Sequence, residues 1–258
     1  MYYLSITAIL VVATGLYKEN FVMKTEIIHL ENPSVSCKLW ADGMEVYSAT
    51  GSFTKNGLMI CGGIMQTGNN DVPELEVNTC WIAGQNNVHH TAVKQIEASG
   101  GSSGVTVNGD SFLLTGGTAP GLADSPYYWN RSEILDLSTN ETVYGPDLPL
   151  SIAYHCMIDT DDGIFSTGGR SDHNILGIRS VTWVLDKNVS AWQNSSAWQT
   201  GPNLIVARHS HACGSFVFEN TTILVVTGGT GVNIYQLRWT EFLRLGKENA
   251  TWSLGKYT

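Results

Sequence analysis

Four pairs of adjacent glycines, each at the end of an apolar run, constrain this chain more than any other feature. They stand in LMICGGI at 58–64, FLLTGGT at 112–118, IFSTGGR at 164–170 and LVVTGGT at 224–230, so the pairs begin at Gly62, Gly116, Gly168 and Gly228. A phrase that returns every 52 to 60 residues is an internal repeat. After each pair comes a polar loop and a further strand-like run, at 77–82, 133–137, 180–185 and 233–238. Turn residues and an aromatic then introduce a fourth strand, in ETVYGPDLP and SAWQTGPNL, where Tyr144 and Trp198 read as equivalent.

A unit of four short strands is too small to bury both of its faces, so successive units must pack face to face. Radial stacking about an axis achieves this, and glycine tolerates the crowding where the backbones converge. An ordinary β-sandwich would account for the strands but not for four glycine pairs in phase.

The Gly-Gly after an apolar strand, the downstream aromatic, the Gly-Pro-x-Leu turn and the Arg208-x-x-His211 pair together resemble kelch repeats over nearly all of residues 16–258. The pattern has drifted: the third unit keeps His155 but has Ile152 in place of the arginine, and the second reads GGSSGVTVNG in that region. The CGG, HCM and HACG elements are most similar to secreted members of that family. The resemblance implies an all-β, kelch-type β-propeller of four Gly-Gly blades. Residues 25–30 and 36–40 read as an N-terminal half-blade, the last two strands of a blade. In such propellers the remaining two strands arrive from the other end of the chain, whereas only SLGKYT follows Trp252. The expectation is an open arc, incomplete relative to a six-bladed ring, with a small four- or five-bladed ring as the competing arrangement.

The first fifteen residues, MYYLSITAILVVATG, hold an apolar run followed by small residues and read as a secretory signal peptide, although no Lys or Arg precedes the run. A buried N-terminal strand is the alternative. Six Asn-x-Ser/Thr sequons, at Asn130, Asn140, Asn188, Asn194, Asn220 and Asn249, point independently to the secretory pathway. Asn130 is ambiguous because it lies just before a strand. No run approaches the roughly 20 apolar residues of a spanning helix, and a net charge of -9 gives no footprint for nucleic acid.

Five cysteines in a secreted chain imply bridges with one thiol left over. Cys61 ends the second strand of its unit and Cys80 lies on the third, which suits a cross-strand bridge. Cys156 and Cys213, aligned on His155 and His211, are offset by one residue and so point to opposite faces of neighbouring blades, which meet. Secreted kelch proteins carry the same HCM and HAC pairing. Cys37 is left without a partner, and five reduced, buried thiols are the alternative.

His209 and His211 would share one face of a strand, but no third metal ligand accompanies them and histidine at this place in kelch repeats is structural. His89 and His90 are adjacent and would diverge. No catalytic motif is recognised: the paired tyrosines, histidines and crosslinked cysteine of galactose oxidase cannot be assembled, and no sialidase box occurs. The expected function is therefore binding of a protein or glycan partner, without a cofactor, through loops on a rigid scaffold. The loops at 66–74 and 119–130 are the candidate contacts, with Tyr127, Tyr128 and Trp129 as an anchor or as packing between blades. An extracellular oxidase or carbohydrate-active enzyme on the same scaffold is the alternative.

Overall fold

The structure is a computed structural model that describes residues 9–17, 20–29, 38–42, 46–55, 57–66, 74–83, 89–107, 109–119, 127–172, 175–187, 197–233 and 236–255, with backbone alone before Val46. It is all-β and every strand pairing is antiparallel. Strands β1 (Ile9–Tyr17), β2 (Asn20–His29) and β3 (Lys38–Asp42) form one sheet, and β4 (Val46–Tyr47), β7 (Ile64–Gln66) and β8 (Glu74–Glu76) form another. Four sheets of four strands follow the repeat. The first blade is built from β5 (Thr50–Thr54), β6 (Gly57–Cys61), β9 (Thr79–Ala83) and β10 (His89–Lys94), and the second from β11 (Ser103–Val107), β12 (Ser111–Thr115), β13 (Ser132–Asp136) and β14 (Glu141–Tyr144). The third holds β15 (Cys156–Thr160), β16 (Gly163–Thr167), β17 (Thr182–Leu185) and β18 (Trp198–Thr200). The fourth holds β19 (Ala212–Phe218), β20 (Thr221–Thr227), β21 (Thr240–Arg244) and β22 (Ser253–Leu254).

The first strands β5, β11, β15 and β19 touch in sequence, which gives the arrangement of a β-propeller. Alternate residues of each blade face opposite neighbours. Phe112, Leu114 and Leu135 pack back onto Met59, Cys61 and Cys80, whereas Val105, Val107 and Leu113 pack forward onto Met157, Ile164 and Trp183. The next layer joins Ile158 and Phe165 to Leu224, Val226 and Leu243.

The glycine pairs close these layers. In every pair both glycines have positive φ, as in Gly116 at 61° and Gly117 at 107°. The second glycine donates its N–H to a carbonyl of the following blade, Gly63 to Ser99 at 2.8 Å, Gly117 to Ile152 at 2.8 Å and Gly169 to Arg208 at 2.7 Å. A Cβ on the first glycine would lie 2.6 Å from the Ser99 oxygen at Gly62, 2.3 Å from that of Ile152 at Gly116 and 2.5 Å from that of Arg208 at Gly168. The fourth pair differs. A Cβ on Gly228 would meet only the Leu237 oxygen, at 4.0 Å, and among the described residues no carbonyl accepts from Gly229.

Two expectations need correction. The third strand of the last blade is β21, not 233–238, because a chain leaving Gly229 by way of the Leu237 N–H to Gly229 C=O bond needs the longer loop before Thr240 can pair with Thr227. Tyr144 is equivalent to Thr200 rather than Trp198: Gly145 and Gly201 donate to Ser132 and Thr182 at the same register, and Trp198 lies two residues earlier, buried, while Tyr144 is exposed. In the N-terminal sheet β2 and β3 overlap the two expected strands, and β1 runs beside β2 from Ile9 across the segment read as a leader. Among the described residues no strand register joins β1–β3 to the last blade. Cys37 lies outside the described residues.

Replacing Gly168 by Ala should cost about 3–4 kcal/mol, the sum of a positive-φ penalty and a backbone collision. Gly228→Ala should cost only the first, about 1–2 kcal/mol. Urea unfolding of the two variants beside the parent chain measures the difference.

Candidate recognition surface and the residues that hold it

Antiparallel pairing sorts the connections between strands onto two ends of the blades. Connections from second to third strands, and from one blade to the next, lie at the glycine-pair end. The tight hairpins between first and second strands, and the connections between third and fourth, lie at the other. The loop end is organised by four residues of positive φ, Ser48, Gly101, Tyr154 and Ser210. Each of the last three donates its backbone N–H to the carbonyl of the one before, at 2.8, 2.6 and 2.8 Å, which ties successive blades together.

Tyr127, Tyr128 and Trp129 are at this end. Tyr127 is 70% exposed, while Tyr128 and Trp129 are half-buried. The Arg131 guanidinium stacks over the Trp129 ring at 4.2 Å and donates to Glu97 at 2.5 Å. Together with Ala119 and Asn130 these residues line an open groove of 660 Å³. Burial raises the Tyr128 phenol above its ordinary value, so its hydroxyl stays protonated at neutral pH. Tyr154 and His209, at the same end of the blades, have ring centroids 6.1 Å apart. Burial and the nearby Arg170 charge lower the His209 pKa, which favours a neutral imidazole. The groove thus presents an exposed aromatic ring, a stacked cation and a carboxylate side by side. The other predicted contact loop, 66–74, and residues 120–126 lie largely outside the described residues.

The histidines do not converge. Ser210, with φ 52°, breaks the strand alternation between His209 and His211. His211 Nε2 lies 3.1 Å from the Thr167 hydroxyl of the preceding blade, and His155 Nε2 lies 2.8 Å from that of Thr115. Thr167 donates to the Cys156 carbonyl, so the network assigns the His211 proton to Nε2 and leaves Nδ1, which has no partner among the described residues, as a bare acceptor. Burial lowers both imidazoles to about 3, so they are neutral structural links. Among the described residues no group of three or more His, Cys, Asp or Glu could hold a metal ion. His89 and His90 have only their backbone described, in β10.

Arg208 and Glu241 are both fully buried, and their ion pair spans 2.6 Å. Arg208 also donates to the Gly228 and Trp239 carbonyls, and Glu241 accepts the backbone N–H groups of Ile205 and Val206. In the second blade Glu133 accepts from Ile96 and Glu97 in the same way. The third blade replaces the whole set: Pro149 stands where Ile205 does and has no N–H, Ile152 replaces the arginine and Trp183 the glutamate. The loss of the arginine at Ile152 is legible in the sequence itself. The GPDLPLSIAYH and GPNLIVARHSH alignment carried the signal for the proline.

Both suggested cysteine pairs stand at disulfide distance. Cys61 and Cys80 face each other across β6 and β9, with Cα atoms 4.1 Å apart, and Cys156 and Cys213 link the third and fourth blades across 6.1 Å. Of the sequon asparagines, Asn140, Asn220 and Asn249 are exposed in turns at φ 56–60°. Asn130 is half-buried and its amide donates to the Leu148 carbonyl at 3.4 Å. Asn188 and Asn194 lie outside the described residues.

Among solved structures the chain is similar to one described as the structure of YjhT, with a TM-score of 0.60 at 12% identity over 91% of each chain. This likeness is one of fold. No protein-family model matches the sequence, and no curated protein does.

Arg208→Ile alone should destabilise by about 3–5 kcal/mol, because it leaves the Glu241 carboxylate buried without its cation. The triple variant Ile205→Pro, Arg208→Ile, Glu241→Trp transplants the third blade's solution and should recover more than half of that loss in urea unfolding.

Proposed function

We propose that this chain is a secreted, N-glycosylated, kelch-type propeller that binds a protein or glycan partner through the loop end of its blades. The observation that carries this reading is a segregation of features between the two ends. The groove with Tyr127, Trp129 and Arg131 lies at the loop end. The three exposed sequon asparagines belong to the opposite end: Asn140 between β13 and β14, Asn220 between β19 and β20, and Asn249 between β21 and β22, while Asn188 and Asn194, outside the described residues, fall in the sequence between β17 and β18. The sixth, Asn130, has its amide engaged by the fold. Glycans on the hairpin end would leave the groove accessible, and two cysteine pairs at disulfide distance suit an oxidising compartment. The leader reading and the kelch motifs supply the rest.

Expression in a eukaryotic secretory host should give a protein that begins near residue 16 and loses apparent mass on N-glycosidase treatment. An unshifted, full-length intracellular product would remove the extracellular reading. Probing the purified protein against arrays of glycans and extracellular ectodomains should give a ligand whose affinity falls at least about tenfold with Tyr127→Ala and is unchanged by Asn140→Gln. A ligand lost through the hairpin end instead would contradict the assignment of the face, and stoichiometric copper in the protein would support an oxidase.

A further inference from the structure

The forward face of the last blade carries a cleft that the blade's own sequon borders. Residues 223, 225, 242 and 244 alternate onto this face, with Ile223 buried at its base and Val225, Phe242 and Arg244 half-buried, opposite the buried Leu224, Val226, Glu241 and Leu243. The cleft has a volume of 480 Å³ and is lined by Ile223, Phe242, Arg244, Lys247, Ser253 and Asn249 itself. That is within the range of about 300–1,000 Å³ typical of small-ligand sites. Asn249 and Thr251, the two defining positions of the sequon Asn-Ala-Thr, both form part of its wall. Asn249 is exposed with φ 56°, in the turn closed by the Ala250 N–H to Lys247 C=O bond. Asn140 and Asn220 stand instead at hairpin tips.

We propose that the first sugars of an N-linked glycan on Asn249 fold back into this cleft and pack against Phe242. The hydrophobic face of an N-acetylhexosamine suits an aromatic ring, and its amide and hydroxyls suit the Arg244 guanidinium and the Ser253 hydroxyl. The glycan is then a tethered ligand, present at high effective concentration, that covers apolar surface of a kind the other blades bury against a neighbour. This inference rests on the secretion reading.

The test uses the full chain from a secretory host, with glycopeptide mass spectrometry to establish occupancy and hydroxyl-radical footprinting of Phe242. Phe242 should be protected several-fold when Asn249 carries its glycan. Protection should vanish after N-glycosidase treatment of the folded protein, and in both Asn249→Gln and Thr251→Ala. Trimming to a single sugar should retain most of it. Loss of this glycan should lower Tm by about 3 °C, and loss of the Asn220 glycan should not. An occupied Asn249 with Phe242 equally labelled before and after removal overturns the packing and leaves secretion standing. Occupancy at Asn140 and Asn220 but not Asn249 overturns the proposal alone. Sequons that are all empty overturn both.

Discussion

One hydrogen bond recurs at every described blade interface, and the rest of the architecture is arranged around it. The N–H of the second glycine reaches the carbonyl at the start of the following blade, as Gly117 does to Ile152 and Gly169 does to Arg208. The first glycine must lack a side chain for that approach, and the positive φ of both residues turns the strand end so that the amide points across the gap. Once the backbones are this close, the apolar faces on either side are held in contact and the His155 and His211 rings reach the threonine hydroxyls of the preceding blade.

Side-chain chemistry around this constant backbone link is exchangeable, and the exchanges come in matched sets. At the start of the inner strands the Thr50 hydroxyl accepts from the Gly104 N–H, and the Ser103 hydroxyl accepts from the Met157 N–H. At the next interface Cys156 occupies that position and stands at disulfide distance from Cys213. On the outer strands Thr142 donates to the Lys94 carbonyl, whereas Trp198 and Trp252 donate to those of Pro146 and Pro202. Replacing Arg and Glu by Ile and Trp follows the same logic, because Pro149 removes a donor that the carboxylate would otherwise serve. A buried ion pair and a packed apolar pair are close in stability, whereas half of either is costly.

This exchangeability decides what the sequence reveals. The glycine pairs were legible because positive φ at all four, and a backbone collision at three of them, disfavour any other residue, and with them came the four-stranded units and the two cysteine pairs that stand at disulfide distance. Less was legible where length or register was free to vary. The last blade's third strand begins seven residues later than its hydrophobic pattern suggests, and Tyr144 mimics the place of Trp198. The axial turn residues Ser48, Gly101, Tyr154 and Ser210 share a backbone conformation but no side-chain property, so nothing in their identities marks them. The groove at the loop end was legible as the aromatic run Tyr127 to Trp129, but Arg131 and Glu97 enter it only through the fold.

Because the glycine amide is the link on which each interface depends, its hydrogen exchange tests the account most directly. The amides of Gly63, Gly117 and Gly169 should exchange only at the rate of global unfolding, while that of Gly229, which no described carbonyl accepts, should exchange orders of magnitude faster. Equal protection at all four glycines, or rapid exchange at all four, would contradict the claim that this bond holds the blades together.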